Sequence, residues 1–404
     1  MDILRLHFSV KNSLFQDIIP FWIKNGLDKK NGGIFTCLDR KGEIYSYDKS
    51  VWMQGRTAYI FYTLCLQYGI DPYWKEMADS CICFLDKYCI DDSDGRMYFT
   101  VTAEGKPLRK RRYIFSESFY TIAHARRYSV TGDKSSLEKA RNYYNLMLKI
   151  YDNPESDPFK ITPKFISSTR ETKSLAYPMI LLNVTYIMAE SDKENESEYK
   201  DIAKRLIRDI RKFRHEETGL MLENLLSNDE HFFESATGRI VNPGHSIELS
   251  WFLADSAVWL EDPNLLLEAE DIFWKAYNFG KDEKYGGILY FKDLFLKPVE
   301  AYEHDMKLWW VHTEALTAAI KFYDYTKKDT YLELFDEVYD YSNKNFADTE
   351  YGEWFGYLRR DGLPTEPPCK GHTYKGPFHL IRMLSESERI LSKLIKKPFN
   401  CDNY

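Results

Sequence analysis

Short glycine-marked segments recur along the chain at a nearly constant interval. Their glycines are Gly33, Gly95, Gly219, Gly286 and Gly352. Consecutive members are 62, 124, 67 and 66 residues apart, and the long interval spans two periods with a degenerate unit at 157–173. Each segment mixes alternating and aromatic residues, as in "YGGILYFKD", which predicts a small β-hairpin rather than a strand of a large sheet. A repeat of about 65 residues therefore constrains the whole chain.

The residues between the predicted hairpins have helical periodicity. Segments such as "EYKDIAKRLIRDIRKF" place apolar residues three and four positions apart, and each hairpin is also followed by a long apolar run such as "GHSIELSWFLADS". Two helices per unit predict an all-α (α/α)6 barrel, or toroid, formed by residues 1–404 as a single catalytic domain. An open solenoid has the same pattern, but the absence of polar capping repeats favours closure. In the closed ring the hairpins lie at one end, where the inner-helix N-termini surround a cavity.

Composition excludes several classes of protein. The net charge of −7 is spread along the chain without a basic stripe, which argues against a nucleic-acid partner. No stretch approaches the ~20 apolar residues of a membrane span. The acid at position 2 and the absence of a long apolar segment near it predict that there is no signal peptide. The seven cysteines form no CxxC pair or regular framework, which predicts reduced thiols in a cytoplasmic protein. Aromatic residues make up 16% of the chain, enough to leave aromatic surface for a sugar ring.

Two histidines occur directly after a Gly/Pro break, at the start of an apolar run. They are His245 in "NPGHSIELSW" and His379 in "YKGPFHLIRM". Side chains at one level of a ring converge in space, so the starts of the other apolar runs are also expected to contribute site residues. They carry Arg56, Glu117, Glu248, His312, Glu314 and Arg382, whereas the third opening, "AYPMILLN", carries no ionisable residue.

Histidine suits general acid–base catalysis, because its pKa lies near neutrality. The alternative for each residue is structural: a helix-start histidine bonded to backbone, or a buried ion pair. Other chemistries have weaker support, since HExxH, HxH, GxSxG and GxxxxGK[ST] are all absent. The sequence thus predicts no metal site, although ligands from distant units remain an alternative.

Five ordered motifs are similar to those of the N-acylglucosamine 2-epimerase family, which includes the renin-binding proteins. The motifs, which extend from about Gly32 to Leu384, are "GGIFTCLDRKGEIY…KSVWMQGR", "YPMILLN", "NPGHSIELSWFL", "KLWWVHTEAL" and "YKGPFHLIRML". The resemblance implies an (α/α)6 barrel and an isomerase that interconverts N-acetyl-D-glucosamine and N-acetyl-D-mannosamine.

The resemblance also implies roles for individual residues. His245 and His379 would remove and return the C2 proton from opposite faces of the opened sugar, while Arg56 would hold the C1 oxygen. Glu248 would fix the tautomer of His245 or raise its basicity, and Glu314 would do the same for His379 or bind a sugar hydroxyl. The residues expected to bind substrate are Trp309, Trp310, His312, Arg382, Gln54, Glu117 and Met179, with a tryptophan as stacking face and Met179 beside the acetamido methyl.

The resemblance further implies a homodimer in sialic acid metabolism that needs no cofactor for its chemistry and that ATP or another nucleotide activates allosterically. Three alternatives remain. Cellobiose 2-epimerases and aldose–ketose isomerases of mannose or sulfoquinovose carry a histidine in an "NxHxxE"-like setting on the third inner helix, which "YPMILLN" lacks. A non-catalytic binding protein is the second. The third, a glycoside hydrolase, requires two carboxylates about 5–9.5 Å apart.

Overall fold

The chain folds into two concentric sets of helices that alternate along the sequence. The computed structural model describes residues 2–111, 113–158 and 171–396, and a π-helical turn (Ser13–Ile18) joins its first two helices. Within these ranges the helices are α1 (Ile3–Asn12), α2 (Ile19–Asn25), α3 (Val51–Tyr68), α4 (Pro72–Tyr88), α5 (Phe115–Thr131), α6 (Lys134–Asp152), α7 (Ala176–Ser191), α8 (Glu196–Arg211), α9 (Pro243–Leu260), α10 (Pro263–Gly280), α11 (Trp309–Thr326), α12 (Asp329–Asn345) and α13 (Phe378–Lys396).

The distribution of apolar residues decides which helices lie inside. Helix α7, "AYPMILLNVTYIMAES", is apolar on nearly every side and is buried. Helix α8, "ESEYKDIAKRLIRDIR", is apolar along one stripe only and packs against the outside of α7. The inner ring consists of α3, α5, α7, α9, α11 and α13, each packed against the next, and α13 contacts α3. That contact closes the ring, so the predicted (α/α)6 barrel is confirmed and the open solenoid is excluded. None of the helices in the described ranges is both long and apolar enough to cross a membrane.

Short antiparallel strands connect neighbouring units at one end of the ring. Within the described ranges they are β1 (Lys49–Ser50), β2 (Thr100–Val101), β3 (Pro107–Arg109), β4 (Thr172–Ser174), β5 (Asn224–Leu226), β6 (Ile240–Val241), β7 (Lys292–Asp293), β8 (Lys307–Leu308) and β9 (Tyr357–Leu358). The sheets are β1–β2–β3, β4–β5, β6–β7 and β8–β9. Most pairs therefore join successive units, and β1, β6 and β8 lead directly into inner helices. The predicted degenerate unit at 157–173 falls largely outside the described residues, which omit 159–170.

Buried lysine–aspartate pairs attach three of the hairpins to segments that precede inner helices. The pairs are Lys49–Asp28, Lys307–Asp282 and Lys370–Asp348, with Nζ–Oδ distances of 2.6, 2.7 and 3.0 Å. Each aspartate also accepts a backbone N–H of its own turn, so the charge is both paired and hydrogen-bonded, as burial requires. Lys49 and Lys307 each stand two residues before an inner helix, so these pairs fix where that helix begins.

Gly55 sets the approach of α3 to α5. A Cβ at this position would lie 2.7 Å from the carbonyl carbon and Cβ of Phe119 and 2.8 Å from its carbonyl oxygen. Alanine favours a helix by about 1 kcal/mol over glycine, but contact with a backbone cannot relax cheaply. We expect Gly55→Ala to lower the free energy of unfolding by about 1–3 kcal/mol in chemical denaturation. Glu76→Ala, at an exposed position of α4, serves as the control and should change it by less than about 0.5 kcal/mol.

Candidate active site

His245 lies in the first turn of α9, and the residues before it explain why the helix begins there. The side chain of Asn242 caps the helix by accepting the N–H of His245 at 3.1 Å, and Pro243 occupies the first helical position. Gly244 lets α9 approach α11, since a Cβ there would lie 2.7 Å from the Trp310 ring. The motif "NPGH" therefore places an imidazole at the cavity end of α9.

His379 is the second residue of α13, and it faces the same indole as His245. The Trp310 ring centroid lies 5.3 Å from that of His245 and 6.2 Å from that of His379. The sum of these two distances is an upper limit on the separation of the imidazoles. The structure thus brings together two histidines that are 134 residues apart in the sequence.

Glu223, not Glu248, is the carboxylate that binds His245. It precedes β5, and its Oε2 lies 2.9 Å from His245 Nδ1, so that the N–H of Nδ1 donates to it. Glu248 instead accepts from Arg382 at 3.1 Å. Glu223, and not Glu248, therefore fixes the tautomer of His245, whereas the charge of Glu248 does raise the pKa of His245, the other role expected for it.

Glu314 binds His379, as expected. Its Oε1 lies 2.7 Å from His379 Nδ1 and also accepts from Arg382 at 2.6 Å, while its Oε2 accepts from the indole N–H of Trp251 at 2.9 Å. Arg382 bridges Glu248 and Glu314, and its guanidinium lies 4.8 Å from the Trp251 ring. Each imidazole thus has Nδ1 engaged with a carboxylate, which leaves Nε2 for a substrate.

Arg56 carries a positive charge without a counterion among the residues that the structure describes. Its guanidinium lies 4.2 Å from the Phe119 ring and 5.3 Å from the Phe378 ring, and it forms no hydrogen bond or ion pair with any described residue. Burial lowers the pKa of Arg56 to about 10, against the nearby charge of Glu248, so the group stays charged at neutral pH. A charge held between two aromatic faces and unpaired is suited to bind an oxyanion.

The two histidines have opposite electrostatic environments. Burial opposes the imidazolium of His245, but the charge and hydrogen bond of Glu223, together with the charge of Glu248, outweigh it and raise its pKa above 6.5. Burial and the charges of Arg56 and Arg382 lower the pKa of His379 well below 6.5. Titratable groups whose pKa values are driven apart in one site are typical of an acid–base pair.

Gln54 and Glu117 do not face the cavity, which corrects their prediction as substrate-binding residues. Both are 0% exposed. The Gln54 amide bonds both backbone groups of Ile34 at 2.8 Å, and Glu117 accepts the N–H of Met97 at 2.9 Å and the Nε–H of Arg96 at 2.7 Å. They attach hairpins to inner helices and leave no surface for a ligand.

His312 has the same structural role, so its prediction as a substrate-binding residue is also wrong. It is 0% exposed, its Nε2 accepts the N–H of Ile288 at 3.1 Å, and its Nδ1–H donates to the carbonyl oxygen of Leu308 at 2.8 Å. Burial lowers the pKa of His312 to about 3. His312 is therefore a helix-start histidine bonded to the backbone, the structural alternative given in the sequence analysis.

The tryptophans and the methionine predicted to bind substrate differ in how far their side chains are exposed. Trp310 is half-buried and contacts both histidines, whereas Trp309 is 2% exposed and packs against Tyr357 and His372. Of the two tryptophans predicted as a stacking face, Trp310 is therefore the more accessible. Met179 is 5% exposed within the main apolar core.

Glu248, Glu314 and His379 could geometrically hold a cation, since one ligand atom from each lies within 4.8 Å of the others. A guanidinium nitrogen of Arg382, however, lies 3.1, 2.6 and 3.3 Å from Glu248 Oε1, Glu314 Oε1 and His379 Nδ1. Arg382 thus supplies the positive charge of this cluster. The same contacts engage both carboxylates, which makes them unsuited to act as the free acid and base of a glycoside hydrolase.

Known proteins resemble this chain over nearly its whole length. A family model described as N-acylglucosamine 2-epimerase (GlcNAc 2-epimerase) matches residues 33–376. The N-acylglucosamine 2-epimerase of Rattus norvegicus is 34% identical, covering 94% of this chain and 90% of that protein, and that of Homo sapiens is 31% identical, covering 94% and 89%.

More distant relatives share the fold. The cellobiose 2-epimerase of Bacteroides fragilis is 24% identical, covering 93% of this chain and 97% of that protein. The solved structure of cellobiose 2-epimerase from Bacillus thermoamylovorans matches with a TM-score of 0.83 at 21% identity, covering 95% and 99% of the two chains. That of D-mannose isomerase matches with a TM-score of 0.82 at 17% identity, covering 95% and 97%. The motifs, the ring and the match over 33–376 agree, and the chain belongs to the N-acylglucosamine 2-epimerase family, as an enzyme of the isomerase class.

Proposed function

We propose that the protein interconverts N-acetyl-D-glucosamine and N-acetyl-D-mannosamine by removing and returning the proton at C2. The observation that carries this proposal is the pair of imidazoles, His245 and His379, against one indole, near an Arg56 that forms no ion pair with any described residue. The names of the relatives that are 31–34% identical support the choice of substrate.

The chemistry follows from the acidity of the open-chain sugar. The C1 aldehyde acidifies the C2–H bond, and Nε2 of one neutral histidine takes that proton while the bonding electrons move onto the C1 oxygen. The imidazolium on the other side then donates its proton to the opposite face of C2, and the C1 carbonyl re-forms. Atoms balance, because one proton leaves and one arrives, and two bases on opposite faces avoid any need to turn the substrate over.

Arg56 stabilises the intermediate at the position where charge develops. The C1 oxygen becomes anionic when C2 loses its proton, and a preorganised donor at such an oxygen is typically worth about 3–4 kcal/mol. Because Arg56 forms no ion pair with a carboxylate in the described part of the chain, its guanidinium remains available to that oxygen.

Other residues orient the substrate. Trp310 offers a ring face for the sugar, and Glu248, whose side chain is 13% exposed, accepts a sugar hydroxyl with the oxygen that Arg382 leaves unused.

A second candidate is a cellobiose 2-epimerase or an aldose–ketose isomerase, which the two solved structures favour through their likeness of fold. The third inner helix argues against both, since "YPMILLN" carries no histidine. A non-catalytic binding protein would need neither the unpaired arginine nor two carboxylate-bound imidazoles.

The test is incubation with N-acetyl-D-mannosamine in D2O, followed by NMR. We expect N-acetyl-D-glucosamine with deuterium at C2. Product from cellobiose or a ketose from mannose, without reaction of the acetamido sugar, would assign the protein to the second candidate. No turnover of any of the three sugars would contradict an isomerase.

The cellular setting is proposed on the resemblance. We place the protein in the cytoplasm, as a homodimer in sialic acid metabolism, with a nucleotide as activator rather than reactant. The cysteines at 37, 65, 81, 83, 89 and 369 are free thiols, which supports a reducing compartment, while Cys401 lies outside the described residues. Sedimentation equilibrium tests the dimer, and titration with ATP during turnover tests the activation.

A further inference from the structure

We propose that Glu223 is a positioning residue that keeps a proton on His245 while His379 stays neutral in the ligand-free site. The inference rests on the proposed function and adds to it the protonation state of the ligand-free site: His379 is neutral and can take the C2 proton of one epimer, while His245 is protonated and can deliver a proton to the opposite face. For the other epimer the two roles are exchanged.

Glu223 has no counter-charge other than His245 among the residues that the structure describes. It is 8% exposed, and its Oε2 is bonded to His245 Nδ1 at 2.9 Å. Its Oε1 is buried without a hydrogen-bond partner in the described ranges. A lone buried carboxylate is costly, and an imidazolium beside it removes that cost. The groups that face His245 are acidic or uncharged, with Glu248 from its own helix and Trp310 from α11.

Glu314 differs, because its charge is already balanced. Arg382 donates to its Oε1 at 2.6 Å and Trp251 to its Oε2 at 2.9 Å, so it holds His379 without needing a proton there. The charged groups that face His379 include Arg56 from α3, Arg382 from α13 and Lys375 from the preceding loop, with Glu248 opposing them. Three cations near one imidazole disfavour a fourth positive charge.

The pKa directions agree with this geometry. That of His245 lies above 6.5 and that of His379 well below it. The competent protein carries one proton on the pair, so kcat/KM should fall on the acid side as His379 gains a proton and on the alkaline side as His245 loses one. The profile is the same for both epimers, because the equilibrium constant between them does not depend on pH.

The test is NMR titration of the ligand-free protein with labelled histidine, the two signals being assigned with His245→Asn and His379→Asn. We expect His245 to titrate at higher pH than His379. In Glu223→Gln, which keeps an acceptor but loses the charge, the His245 midpoint should fall by about 1–3 pH units, and the alkaline limb of kcat/KM should move with it. Glu223→Asp should restore both. Glu230→Gln, an exposed carboxylate of the same hairpin, should change neither.

His245 titrating below His379, or an unchanged His245 midpoint in Glu223→Gln, would overturn the inference. The titration needs no substrate, so it is independent of the proposed function, whose failure would instead appear as missing deuterium in the product.

Discussion

The His379→Asn protein loses epimerisation by a factor of about 10²–10⁴ in kcat, the usual contribution of a general acid or base. Asparagine cannot take or return a proton, so one face of C2 has no base. The fold should survive, because Glu314 keeps Arg382 and Trp251 as donors. Steady-state assays and circular dichroism measure the two effects separately.

His7, a histidine outside the candidate site, is the control for the role assigned to His379. His7 lies on α1 in the outer layer, where it bonds Ser392 at 2.9 Å. We expect His7→Asn to retain turnover. Wild-type kcat in His379→Asn would mean that another group acts at that face of C2.

Arg56→Met lowers kcat by about 10²–10³, which corresponds to about 3–4 kcal/mol of lost stabilisation of the C1 oxyanion. The melting temperature should stay unchanged or rise. Methionine keeps the contacts with Phe119 and Phe378, and the substitution removes a desolvated charge that pairs with no described residue. Turnover and thermal denaturation of the same protein check both results.

Arg126 provides the control for Arg56. It lies on α5 near the end that faces away from the hairpins, and it pairs with Glu190 of α7. Arg126→Met should lower the melting temperature and leave kcat nearly unchanged, the reverse of Arg56→Met. A loss of stability in Arg56→Met with normal kcat would show that Arg56 is a structural residue.

The ring of helices was predictable because the sequence pattern that produces it is periodic. Hairpin glycines at intervals near 65 residues and apolar runs after each hairpin require units that bury their faces against neighbours. The buried pairs, such as Lys49–Asp28, were not predictable, since a solvated lysine near a turn looks the same in the sequence.

Cavity-facing and structural residues were confused because they are two positions apart. Gln54 and His312 are the fourth residues of α3 and α11, while Arg56 and Glu314 are the sixth residues of the same helices. Two positions rotate a side chain by about 200°, so the fourth faces the hairpin and the sixth the cavity. Helix starts read from a sequence are uncertain by two or more positions, which is enough to exchange the two faces.

Glu223 was missed for a different reason. It belongs to a hairpin, "GLMLENLLSND", with a further acid, and only the packing of that hairpin onto α9 selects it. No spacing within the chain relates position 223 to position 245.

The most direct measurement is exchange of the C2 hydrogen with solvent in His245→Asn and His379→Asn, with each epimer supplied separately in D2O. Each variant retains one base, so each should exchange one epimer without converting it, and the two variants should choose opposite epimers. Exchange of the same epimer by both variants, or of both epimers by either, would contradict two bases on opposite faces of C2.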